Sequence, residues 1–106
     1  MYASVRRYRA AQDEVDALMH RIDEEFAEQI SGQPGFCSYQ AIDCGGGMVI
    51  TVTCFREAED ADRSAEAAAR WISESLSDFE IERLDASAGE VQVSRAVSEV
   101  LQPAHH

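Results

Sequence analysis

The residues of this chain that could do chemistry are few in type. Every cation is an arginine: nine Arg stand against 20 Asp and Glu, and there is no Lys. A guanidinium presents a flat fork of donors, so an anion held here is held by directed hydrogen bonds as well as by charge. Arg6, Arg7 and Arg9 crowd one short stretch, ASVRRYRA. If that stretch is extended, Arg7 and Arg9 point one way and Arg6 with Tyr8 the other. One set must meet the core. There a guanidinium would either anchor a carboxylate or phenolate ligand or pair with Glu80, Glu82 or Glu90 of a neighbouring strand. Ala3 and Val5 share the parity of Arg7, so Arg7 is expected on the inner side. Two aromatic residues with polar edges complete the candidate set. A buried Tyr39 hydroxyl needs a partner, which a ligand or a backbone carbonyl could supply, and Trp71 could wall a pocket or cover the edge of the core.

Other chemistries find little support. Cys37, Cys44 and Cys54 are odd in number and lack CxxC spacing, so they read as buried thiols and not as a disulfide framework or zinc site. Glu57, Glu59, Asp60 and Asp62 stand where a helix begins, and the helix dipole explains them better than a metal does. No metal and no cofactor is expected. A formal charge of −11 would repel nucleic acid and anionic membranes. No apolar run approaches the ~20 residues of a membrane span, and the start MYASVRRYRA lacks the apolar core of a signal peptide, which predicts a cytoplasmic protein. The closing pair His105 and His106 fits an expression remnant as well as a native end.

These residues must be positioned by elements that the pattern outlines. At 106 residues, 45% hydrophobic and 27% charged, the chain has room for one core. Residues 1–96 are expected to form the domain and 97–106 a tail or arm. Tyr2 to Arg9 reads as a first strand. From Asp13, a candidate cap, Val15, Leu18, Met19, Ile22, Phe26 and Ile30 recur every three or four residues, which predicts an amphipathic helix that Gly32 and Pro34 stop. His20 lies on its watery side. Phe36 to Asp43 and Met48 to Phe55 flank Gly45, Gly46 and Gly47, a hairpin. Pairing 43 with 48 sets Cys37 opposite Cys54 and gathers Cys37, Tyr39, Ala41, Met48, Ile50, Val52 and Cys54 on the helix-facing side; Phe36, Ile42, Val49 and Phe55 then lie on the other. Asp60 and Asp62 are candidate caps of a second helix with the stripe Ala61, Ala65, Ala68, Ile72, Leu76 and Phe79, which leaves Trp71 on its shoulder. Glu80 to Ala86 looks extended, Gly89 marks a turn or bulge, and the alternation of Val91 and Val93 places the last strand over Glu90 to Ala96.

Strand, helix, strand, strand, helix, strand is the ferredoxin-like α+β order: a four-stranded antiparallel sheet with two helices on one face. The other face stays bare and partly apolar, so a homodimer that stacks two sheets is expected.

Within this order, QPGFCSYQAIDCGGGMVITVTCF and AAARWISESL, followed by GEVQV, resemble the antibiotic biosynthesis monooxygenase family of dimeric α+β barrels, over residues 2 to about 96. Pro34, Gly35, Phe36, the hairpin and Trp71 carry the resemblance. It implies a cofactor-independent oxygenase acting on a phenolic or polycyclic small molecule, with Asn, Trp and Tyr around the substrate, or a haem degrader with Asn, Trp and His. Trp71 matches the helical Trp of that pattern. The chain has no Asn, Ala65 stands where relatives place it, and no His follows Trp71 before residue 96. The family pattern therefore speaks against haem and leaves a second reading beside the oxygenase, a non-catalytic ligand-binding or interaction dimer.

Overall fold

The computed structural model describes residues 1–96. Four strands, β1 (Tyr2–Ala10), β2 (Phe36–Gly45), β3 (Met48–Phe55) and β4 (Ile81–Glu90), form one antiparallel sheet in the order β2-β3-β1-β4. The first helix spans residues 15–31. It is α-helical over Val15–Arg21, widens to π geometry over Ile22–Phe26 and returns to α over Ala27–Ser31. The second helix is Ala58–Ser75. Both lie on one face of the sheet, the ferredoxin-like arrangement that the element order predicts. The suggested tail, 97–106, lies outside the described residues.

The first helix buries Val15, Leu18, Ile22, Phe26 and Ile30 against the sheet, as its spacing predicts. Asp13 does not cap it: Asp13 sits in a 3-10 turn, Gln12–Glu14, and no side chain caps either segment. Helix two starts earlier than expected, after Glu57, so Asp60 falls within its first turn and pairs with Arg63. Its buried positions are Ala61, Ser64, Ala68 and Trp71, with Ile72 and Ala65 only half-buried. The stripe is thus rotated toward Trp71, which is 8% exposed and not a shoulder residue. The physical reason is Ser64. Its hydroxyl donates to the Ala61 carbonyl at 2.9 Å, so it is buried with its polarity satisfied at home.

The hairpin corrects the expected register. Phe36 faces Phe55, but then Ser38 faces Cys54, Tyr39 faces Thr53 and Ala41 faces Thr51. Cys37 is the extra residue of a β-bulge, and a bulge changes side-chain parity along one strand only. Tyr39 and Ala41 therefore stay on the helix side, where they are joined by Val49, Thr51, Thr53 and Phe55 and not by Met48, Ile50 and Val52. Val49 and Phe55, expected on the bare face, are almost wholly buried. Pairing 43 with 48 would also put Thr51 and Thr53 on the bare face, but both are buried on the helix side.

The last strand begins at Ile81, earlier than expected. Leu76, buried, ends the second helix, and the Ala11 N–H bonds the Glu80 carbonyl at 3.3 Å. That short connection starts β4 beside the end of β1, and its pairing runs out at Tyr2 opposite Glu90. Gly89 lies within the strand, opposite Ala3, while residues 91–96 are not strand.

Candidate active site

The helix-facing side of β1 carries Tyr2, Ser4, Arg6, Tyr8 and Ala10. This is the reverse of the parity argued from Ala3 and Val5. Arg7 lies on the bare face, where its Nε donates to an Asp85 carboxylate oxygen at 2.8 Å and its terminal nitrogen pairs with the same oxygen. Its pairing partner is thus Asp85 and none of Glu80, Glu82 or Glu90. The aspartate keeps Arg7 protonated and is itself held below the ordinary carboxylate range by hydrogen bonding to Arg7. The apolar positions misled the parity argument because tyrosine rings and arginine stems bury readily with one polar end free.

Arg6 comes forward in place of Arg7. With Tyr8, Tyr39, Thr51 and Thr53 from the sheet, Ile22 and Phe26 from the first helix, and Ala68, Trp71 and Ile72 from the second, it lines one recess. Tyr39 and Trp71 are brought together there through Phe26. The Phe26 ring meets Tyr39 edge-on at 5.5 Å between centroids and lies tilted against Trp71 at 5.2 Å. Both first-helix contributors, Ile22 and Phe26, bound the π segment, which re-aims side chains relative to a plain α-helix. The free space among these groups is only about 30 Å³, room for roughly one or two waters. The recess adjoins a larger space. Beside it, between the second helix and β1 and β4, runs a cleft of about 430 Å³, within the ~300–1,000 Å³ usual for small-molecule sites. Arg6, Tyr8, Ala68, Ile72 and Ile81 are shared with the recess, and Ala65, Ala69, Ser73 and Arg83 complete the lining. Alanines on the helix side make the space, because a methyl group leaves the sheet uncovered where a larger residue would fill it.

The electrostatics of this site are those of a donor set. Burial pushes the Tyr39 phenol well above its ordinary value, the nearby Tyr8 adds to the shift, and Arg6 partly opposes it. Tyr39 therefore acts as a neutral hydroxyl and not as a base. No His, Cys or carboxylate lines the recess or the cleft, so the Ser73, Thr51 and Thr53 hydroxyls there have no neighbouring base to activate them as nucleophiles. Among the described residues no cluster of potential metal ligands exists. His20 lies exposed on the first helix, 3.3 Å from Glu24, and offers no imidazole to either space. The threonines, Phe26, Arg6 and Arg83 are the site residues the sequence reading missed; the pairing of Tyr8 with Val49, which sets Arg6 inward, is visible only in the structure, since the expected register put Val49 on the other face.

No protein-family model matches the chain, and no curated protein sequence matches it. Solved structures do match in fold. A protein from Deinococcus radiodurans that carries the antibiotic biosynthesis monooxygenase name superposes with a TM-score of 0.73 at 13% identity, covering 92% of this chain and 98% of that one. A dimeric ferredoxin-like protein from an uncultured marine organism gives 0.69 at 13% identity, covering 91% and 97%. The haem degrader MhuD from Mycobacterium tuberculosis, with two haems bound in its active site, gives 0.70 at 15% identity, covering 91% and 100%. The fold is thus the ferredoxin-like one shared by proteins that carry the antibiotic biosynthesis monooxygenase name. No helix among the described residues is long and apolar enough to cross a membrane.

Proposed function

We propose that the protein binds a flat phenolic or polycyclic molecule in the cleft beside Trp71 and acts on it as a cofactor-independent monooxygenase, working as a homodimer. The observation that carries this reading is the junction of a cleft lined by Arg6 and Tyr8 with a recess that adds Tyr39, Phe26 and Trp71, with no His, Cys or carboxylate in either. Such a site suits a substrate that brings its own reactivity. An electron-rich phenolate can pass electrons to O₂ directly. Four electrons from the substrate reduce O₂, one oxygen atom becomes a carbonyl of the product, and the other leaves as water. The chain's share is to hold the ring in one orientation, exclude water, and stabilise the anion with Arg6, the Tyr8 hydroxyl and the neutral Tyr39 hydroxyl. Because no base lines the cleft, the substrate must arrive ionised or lose its proton to solvent. A haem does not fit this donor set, since neither space presents an imidazole.

The lack of a base also supports the second reading, a binding dimer without turnover. An oxygen electrode separates the two. With a dihydroxyanthrone as substrate, the first reading expects O₂ uptake well above the spontaneous rate and a loss of about tenfold or more in Arg6→Met, since hydrogen bonds to charged groups contribute about 1.5–3 kcal/mol. Saturable binding with uptake no faster than in buffer would establish the second.

A further inference from the structure

Arg6 is not the only cation of the cleft. Arg83, on β4, lines it from the opposite strand, and Arg6 and Arg83 also line an outer compartment of about 210 Å³ that continues toward Ser4, Ala61 and Ala86. Register places them side by side. Tyr8 pairs with Arg83 and Arg6 with Ala86, with the shift between them leaving Leu84 as an extra residue of β4. A bulge of this kind turns Arg83 onto the same face as Arg6 and Tyr8. The two arginines become diagonal neighbours, roughly 7–8 Å apart at the backbone, near enough for both long side chains to converge on one anion. Among the described residues neither makes an ion pair, although acids outnumber arginines 20 to nine in the chain. Among the described residues that line the outer compartment, Asp62 is the one carboxylate. In so acidic a protein, two arginines bordering one alanine-walled cleft, Arg6 half-buried and Arg83 exposed, are a placement that charge balance alone does not explain.

We infer that Arg6 and Arg83 form a two-guanidinium clamp for a carboxylate carried by the aromatic ligand, whose ring system lies inward against Tyr8, Ile72 and Ile81. This inference rests on the reading of the cleft as an aromatic site and adds the charge class of its ligand, a polycyclic aromatic carboxylate. Bidentate guanidinium pairing fits a carboxylate, and two forks satisfy both of its oxygens. The anion's place is the boundary of the two compartments, away from the recess, so Arg83 meets the carboxylate without touching the recess, while Arg6 borders all three spaces.

Calorimetry with 2-naphthoate and 2-naphthol, which share a ring system and differ in charge at neutral pH, tests it. Wild-type protein is expected to bind naphthoate about tenfold or more tightly than naphthol. Arg83→Met, which keeps the apolar stem, should lower naphthoate affinity about tenfold and leave naphthol affinity nearly unchanged, and Arg6→Met should lower naphthoate affinity at least as much. Arg9→Met removes the same charge from the far face of β1 and should change neither; circular dichroism of all three variants reports the fold. Equal affinity of the two ligands in wild type, or an equal loss of naphthoate in Arg9→Met, would overturn the clamp while leaving the aromatic site standing. Failure of naphthol and naphthoate alike to bind would remove the aromatic site itself, and with it the clamp.

Discussion

Tyr39 concentrates the chemistry of the site at the scale of one residue. Its hydroxyl is packed among Phe26, Tyr8 and Arg6, and burial favours the neutral form. A group whose folded pKa is raised contributes stability that is complete below its unfolded value, about 10 for tyrosine, and is lost as pH climbs through the folded value. Denaturant unfolding of wild type and Tyr39→Phe should therefore show a stability difference that shifts against the wild type once pH exceeds about 10. A difference that is flat with pH would mean Tyr39 is not buried as described. The cysteines fit the same logic. Cys54 is buried and its thiol is pushed up, first by burial and then by the neighbouring Cys37, whereas Cys44 is exposed. The bulge shifts Cys37 out of register with Cys54, yet the two thiols remain neighbours on the bare face.

At the scale of the elements, local chemistry sets the geometry that delivers those residues. The tight turn between β2 and β3 depends on Gly47. Its φ is +86°, and a Cβ there would fall 2.3 Å from the Ala10 carbonyl oxygen, next to the 2.8 Å bond from Ala10 N–H to the Gly47 carbonyl. Gly45 also has a positive φ, but its missing Cβ would meet open space. Gly45→Ala should cost about 1–2 kcal/mol, the left-handed penalty alone, and Gly47→Ala clearly more, as measured by urea unfolding. Equal costs would show that the hairpin turn does not abut β1. This level is also where the sequence was readable and where it was not. The first helix showed its apolar positions because Val15, Leu18, Ile22, Phe26 and Ile30 are all unambiguous. Its π segment left no sequence mark. The second helix was read rotated because Ser64, polar by type, is buried by satisfying itself. The strands were recognised as strands, but two bulges, at Cys37 and Leu84, decide which of their side chains meet the helices. No alternation rule registers a bulge. So Tyr39 was placed inward while its partners were not, and Arg83 was passed over; on β1, which gains no extra residue, Ala3 and Val5 pointed to Arg7 where Arg6 belongs.

At the scale of the whole molecule, one sheet face is covered by helices and the other is not. The bare face exposes Val5 at 39% and Ile42 at 44%, with Ile50 and Val52 paired beside them and the Arg7–Asp85 pair among them. A second copy stacked on this face would bury that apolar surface. Light scattering is expected to give twice the 11.7 kDa chain mass, and Val52→Asp to shift the protein toward the monomer by placing an unpaired charge in the interface. A wild-type monomer at micromolar concentration would dismiss the stacked-sheet assembly. The covered face poses the larger question, since the account of function depends on the cleft there being the place where an aromatic ligand binds. Chemical-shift mapping of isotopically labelled protein titrated with 2-naphthol tests this most directly. The predicted result is saturable shifts centred on Tyr8, Ala65, Ala69, Ile72, Ile81 and the Trp71 indole; shifts confined to Val5, Ile42 and Val52 on the opposite face, or none at saturating ligand, would contradict it.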